Sequence, residues 1–253
     1  MTIQNQKHKV RSFFNHIASD YPSRYEDPFL KFFYTERLIA ATSGFNFEGK
    51  TILDIGAGTC ALHRFLTEKG VKTSYFAQDI AENMLFECSI PSENKFCGEL
   101  EDLPFPVSQF DFIFMLGVSN YMTPEALQTT LGWISNHLAP EGKAIITFTH
   151  RNSADFRLVQ LLKRPFQWLG FKDKGISQRF ESFAYTPVEV KALLPQKLVI
   201  ERLHWLNYSI FPFNRLMVKG SVQLARWLQG RKGDVPVLSS DFMVFIAKNG
   251  EGR

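Results

Sequence analysis

Cysteine is scarce: there are three in 253 residues, Cys60, Cys88 and Cys97. Their number is odd and their spacing matches no metal-ligand set, so the sequence predicts free thiols in a reducing compartment and no metal site. Long apolar runs are missing too. No uncharged stretch approaches the roughly 18–20 residues that span a bilayer. The polar start MTIQNQKHKVRS lacks the apolar core of a secretory leader. A dense stripe of basic residues is likewise absent. The formal net charge of +4 is too mild for a protein that tracks a nucleic-acid backbone. These absences predict a cytoplasmic protein whose partner is a small molecule rather than nucleic acid. Oligomeric state leaves no mark in the sequence.

Phenylalanine is what the chain has in excess, with 25 copies against 45% apolar residues overall. Pairs such as Phe13–Phe14, Phe32–Phe33, Phe180–Phe183 and Phe211–Phe213 read first as core filling. Their second reading is the lining of a greasy cavity. A chain of this length buries one main core, so residues 1–253 are read as a single domain. Its expected parts are an N-terminal helical cover (1–45), a ligand-binding core (46–150), and two insertions on the substrate side (151–185 and 210–240).

From Lys50 onward, apolar runs of strand length alternate with helical spacing. Strands are expected at Thr51–Ile55, Thr73–Gln78, Lys95–Gly98, Phe110–Leu116, Lys143–Thr149, Leu198–Ser209 and Asp241–Ala247. Helices fall at Ala61–Lys69, Ala81–Glu87, Pro124–Leu138 and Pro187–Leu194. This alternation predicts an α/β fold, a Rossmann-like and mostly parallel sheet with helices on both faces.

The segment ILDIGAGTC puts Gly56 and Gly58 directly after a buried strand and just before a helix. Glycine lets the backbone turn sharply and approach a ligand without a Cβ in the way. The helix behind it offers unpaired N–H groups to an anion such as a carboxylate. GAGTCA also satisfies a dinucleotide fingerprint, so a nicotinamide-dependent oxidoreductase stays open at this point. Asp54, two residues before the first glycine, can accept bonds from the loop or from an ammonium group. Asp79 ends the next strand, where a carboxylate can take both ribose hydroxyls. Glu99 follows the third strand, and Asp111 opens the fourth as a structural tie.

The pattern D-x-G-x-G, an acid 23 residues beyond the first glycine, then EDLPFP-x-x-x-FD, resembles the class I S-adenosylmethionine (SAM) dependent methyltransferases. Within them it is similar to the small-molecule and quinone-biosynthesis group. The resemblance spans about Phe13 to Phe148. It implies SAM as cofactor, S-adenosylhomocysteine (SAH) as product, and a seven-stranded sheet with an antiparallel last strand. It further implies that Gly56 and Gly58 flank the methionine part of SAM and that Asp79 binds the ribose. Ile80 and Met84 would pack near the adenine, Glu99 and the backbone at Leu100 would reach its amino group, and Leu116 would lie beneath the cofactor. The segment FFNHIASDYPSRY resembles the cofactor-covering region of the same family, where Tyr21 and Arg24 would close over the SAM carboxylate. Cys60 stands where many relatives carry a third glycine. The segment YSIFPFNRL is similar to the late region of magnesium-protoporphyrin methyltransferases.

Ligands of such sheets bind beyond the carboxyl ends of the strands, which directs attention to Asn120 and Tyr121 and to His150. His150 is the preferred base, because imidazole titrates near neutrality; a histidine bonded to backbone at a strand end is the competing reading. Apolar residues interleaved with cations at 210–240 and 151–182 fit helical lids, either packed on the domain or resting on a membrane surface as peripheral contacts. The expected reaction is in-line methyl transfer to a hydrophobic or aromatic acceptor, on oxygen in preference to carbon or nitrogen. A SAM-binding protein without transferase activity is the other alternative.

Overall fold

The computed structural model describes residues 3–168, 180–209, 217–230 and 234–250. Most of YSIFPFNRL, with Phe211 and Phe213, lies outside them, as does much of the two expected insertions. The side chains of Arg24 and of residues 162–168 also lie outside.

Seven strands form one sheet: β1 (Thr51–Ile55), β2 (Ser74–Asp79), β3 (Lys95–Cys97), β4 (Phe110–Met115), β5 (Leu138–Thr149), β6 (Leu198–Tyr208) and β7 (Ser239–Lys248). Their spatial order is β3-β2-β1-β4-β5-β7-β6. The first five strands are parallel, while β7 runs antiparallel to both β5 and β6. Both expectations for the sheet, its strand number and its reversed last strand, hold. The order reverses between β1 and β4, and there the carboxyl ends of neighbouring strands open a crevice.

Alternation along the strands fills two cores. Leu53, Ile55, Ile113 and Met115 face one side with Leu127, Leu131 and Ile134 of α5 (Pro124–His137). Ile52, Phe112 and Phe114 face the other, with Ala41 of α2 (Pro28–Thr42) and Leu62 and Leu66 of α3 (Ala61–Glu68). Successive side chains of a strand point to opposite faces, so burial on both makes the strand apolar throughout. Phe110, Phe114, Phe148, Phe242 and Phe245 are the largest fully buried side chains. Each such burial contributes about 1.5–3 kcal/mol, so core filling accounts for much of the phenylalanine excess.

The helix starts obey local chemistry. Asp27 caps α2 by accepting from the amides of Phe29 and Leu30, both at 2.9 Å. The Thr123 hydroxyl accepts from Ala126 N at 3.2 Å, with Pro124 in the first turn of α5. The remaining helices are α1 (Ile3–Ile17), α4 (Glu82–Phe86), α6 (Ala154–Trp168), α7 (Pro187–Leu193) and α8 (Val218–Gln229). Ala225 and Leu228 pack α8 onto Tyr208, while Met217, Leu224 and Trp227 are exposed. No helix among the described residues is long and apolar enough to cross a membrane.

The expectation of three free thiols is corrected. Cys60 and Cys88 form a disulfide with Cα atoms 5.3 Å apart, and Cys97 alone is free. The bond is possible because parallel pairing of β1 with β2 sets the start of α3 beside the end of α4. A cytoplasmic location therefore no longer draws support from the cysteines.

Candidate functional site

The glycine loop leaves β1 at Gly56 and reaches α3 at Cys60. Gly56 (φ 66°), Gly58 (φ 54°) and Cys60 (φ 56°) all adopt the left-handed conformation. A Cβ on Gly56 would lie 2.4 Å from Val118 Cγ2, so only glycine fits there. A Cβ on Gly58 would lie 3.1 Å from Met84 Cε, which sets α4 hard against the loop. Cys60 gives α3 no side-chain cap, so the first N–H groups of that helix are left for another acceptor. Thr59 Oγ1, inside the loop, is buried with no partner among the described residues.

Asp79 holds this loop in shape. Its Oδ2 accepts from Gly58 N at 2.9 Å and its Oδ1 from Ala81 N at 2.8 Å. Burial pushes its pKa up to about 6, against the lowering effect of those amide bonds. Asp54 is buried next to it and accepts from the Tyr75 hydroxyl at 2.5 Å. Burial raises Asp54 to about 7, Tyr75 opposes the shift, and the charge of Asp79 adds to it.

Gln78 went unnoticed in the sequence. Its Oε1 accepts from Gly56 N at 3.2 Å and its Nε2 donates to Gly98 O at 2.7 Å, tying the loop to the end of β3. Gln6 was missed as well. From α1 it donates to the carbonyls of Tyr121 (3.2 Å) and Glu181 (2.8 Å), so one buried amide docks the N-terminal helix onto both of those segments. Lys7 of the same helix donates to Glu99 Oε2 at 2.6 Å.

These elements enclose a cavity of about 560 Å³, within the range of small-molecule sites. Its wall includes Tyr21, Asp54, Gly56, Gly58, Asp79, Ile80, Met84, Glu99, Leu100, Leu116 and Tyr121. Eleven residues proposed from the sequence are thus brought together. Arg24 lies in a 3-10 turn (Pro22–Glu26), with its side chain outside the described residues. Phe33, Tyr34 and Phe148 add aromatic side chains to the wall, which also includes Arg37 and Asp241, while Phe14 packs near Ile80, Met84 and Tyr121. Tyr121 packs edge-on against Phe14 and Phe180, each ring 5.3 Å away.

His150 requires a correction. It is buried between Trp205 and Phe242, and its Nδ1 lies 3.2 Å from Ser239 O. Burial lowers its pKa, and it is not part of the cavity wall. The backbone-bonded reading is the one that fits. The side chain turns toward β6 and β7 because the ring finds an apolar slot there. Asp111 ties strand starts as expected, with its Oδ2 accepting from Thr51 N at 2.9 Å. No metal-binding cluster exists among the described residues.

Residues 53–146 match the family model described as a methyltransferase domain. Over that stretch the chain carries a methyltransferase domain. A ribosomal protein arginine N-methyltransferase of Schizosaccharomyces pombe (strain 972) is 28% identical over 164 residues. That match covers 60% of this chain and 29% of the relative, so the chain spans under a third of the curated protein it matches. Among solved structures, magnesium protoporphyrin IX methyltransferase from Synechocystis PCC 6803 with bound SAH superposes with a TM-score of 0.60 at 14% identity, covering 96% of this chain and all of that one. The N-methyltransferase NodS from Bradyrhizobium japonicum WM9 gives 0.56 at 13% identity, covering 96% and 99%. At these identities the structural likeness speaks for the fold, which the methyltransferase domain shares.

Proposed function

We propose that the protein transfers the methyl group of SAM to a small hydrophobic or aromatic acceptor, with oxygen as the favoured acceptor atom. The observation that carries this reading is a single cavity running from the loop clamped by Asp79 to an aromatic wall. SAM supplies a methyl group on a positively charged sulfur, activated for displacement by a nucleophile.

The residues present fit that cofactor. Gly56 and Gly58 leave the space a Cβ would fill, so the backbone can lie close to the methionine part. The uncapped start of α3, helped by Tyr21 and Arg24, suits the carboxylate, and Asp54 the ammonium group. Asp79 retains lone pairs for the ribose hydroxyls beyond its two amide bonds. Ile80 and Met84 would flank the adenine, Glu99 and the Leu100 backbone its amino group, and Leu116 would support the cofactor from below.

With His150 withdrawn, no imidazole lines the cavity among the described residues. Catalysis then rests on alignment and on exclusion of water by α1. Tyr121, on the acceptor side of the wall, is the residue proposed to contact the reacting group. N-transfer is the second reading, since the named relative and NodS are both N-methyltransferases by description. Peripheral membrane contact through the exposed stripe of α8 belongs to the same proposal, and suits an apolar acceptor. The division into cover, core and insertions is also proposed, with α1 as the cover.

Asp79→Asn tests the cofactor assignment. Loss of charge-assisted bonds worth about 1.5–3 kcal/mol is expected to weaken SAH binding by roughly 10–100-fold, measured by calorimetry. Affinity unchanged within a few-fold would remove Asp79 from the ribose site.

A further inference from the structure

The far end of the cavity holds a buried ion pair that the cofactor assignment leaves unused. Arg37 of α2 is 9% exposed, and its Nη2 donates to Asp241 Oδ2 at 3.2 Å. The same oxygen accepts from Asn207 Nδ2 at 2.8 Å. Asn207 sits at φ 59° in the left-handed region, a conformation that places its amide on the pair. The guanidinium carbon lies 5.1 Å from the ring centre of Phe33 and 5.5 Å from that of Tyr34. A Cβ on Gly117 would come within 2.5 Å of Arg37 Nη1, so the bare backbone at 117 makes room for this one nitrogen. The Nε of Arg37 is buried and has no hydrogen-bond partner among the described residues.

Two physical points decide what this end can take. Position comes first. The glycine loop and Asp79 belong to β1 and β2, whereas Asp241 lies in β7, two strands beyond β4. Arg37 therefore stands over the acceptor half of the crevice, reaching back only as far as Gly117. Charge comes second. Asp241 already balances the guanidinium, and both side chains are about nine-tenths buried. A second carboxylate would meet that of Asp241 across a poorly screened cavity. An uncharged oxygen would meet an N–H donor and no net repulsion.

We propose that Arg37, balanced by Asp241, binds a neutral oxygen of an aromatic acceptor, such as a phenol or ketone oxygen, and so selects uncharged aromatic acceptors over carboxylates. The flat walls of Phe33, Tyr34, Tyr121 and Phe148 supply the matching surface for the ring. This inference rests on the methyltransferase reading above and adds the chemistry of its acceptor.

The test is calorimetric titration of the SAH-saturated protein at neutral pH with 2-naphthol and with 2-naphthoate, two probes of similar size. Naphthol is expected to bind at least roughly tenfold more tightly. Arg37→Met alone would leave the Asp241 carboxylate buried and unpaired, so the informative variant is Arg37→Met with Asp241→Asn. It removes both charges and retains an oxygen for Asn207. That variant is expected to lose naphthol affinity by roughly tenfold while binding SAH within about threefold of wild type. Preference for naphthoate would overturn the inference, as would unchanged naphthol affinity in the double variant. A parallel loss of SAH affinity would assign Arg37 to the cofactor's carboxylate and overturn it equally. Wild-type protein that binds no SAH at all contradicts the methyltransferase reading itself, which separates the two failures.

Discussion

Asp54 and Asp79 show how burial at one site sets both stability and affinity. Their folded pKa values, about 7 and about 6, exceed the ordinary 3.8. Between those limits the folded protein binds more protons than the unfolded chain, so their contribution to stability is full below about pH 4 and falls as pH rises through about 6 and 7. A ligand that donates hydrogen bonds to both carboxylates favours their ionised forms. Binding should then strengthen with pH over that window and release protons. SAH affinity is expected to rise several-fold between about pH 5.5 and 7.5, with Asp54→Asn removing the upper part of the rise. Calorimetry in buffers of different ionisation enthalpy checks the proton release; a pH-independent affinity would contradict it. These acids and the two glycines were legible in the sequence because the loop's backbone and charge demands act over a few residues. Gln6 and Arg37 were not, because their partners lie 175 and 204 positions away. The orientation of His150 was equally illegible, since an apolar slot made by β6 and β7 decides it.

Among the elements, the strands follow the sequence pattern closely, since parallel strands buried on both faces must be apolar throughout. β5 departs from it, starting at Leu138 rather than Lys143, because Leu138 pairs with Phe110 across an irregular register. The disulfide was hidden for a similar reason. The 28 positions between Cys60 and Cys88 say nothing until β1 and β2 pair side by side. By fixing the start of α3 to the end of α4, the bond contributes about 2–4 kcal/mol. Helix α8 poses the opposite question, with apolar side chains left outside. Its exposed Met217, Leu224 and Trp227 lie beside Lys219 and Arg226, both exposed as well, the composition of a helix resting on an anionic surface. Co-sedimentation with vesicles containing anionic lipid is expected, weakened several-fold by Trp227→Ser with Lys219→Glu. Equal recovery with neutral and anionic vesicles would leave the stripe without a membrane role.

For the whole molecule, the strand order sets where the cavity forms. Reversal between β1 and β4 opens the crevice, α1 lines it, and the β6–β7 pair extends the sheet past β5 to carry Asp241 into its wall. The sequence offered two cofactors for the glycine loop. The match of residues 53–146 to a methyltransferase domain favours one of them. Parallel calorimetric titration with SAH and NADH puts the choice to the protein directly. Micromolar binding of SAH and none of NADH is expected. Binding of NADH without SAH would contradict the cofactor assignment.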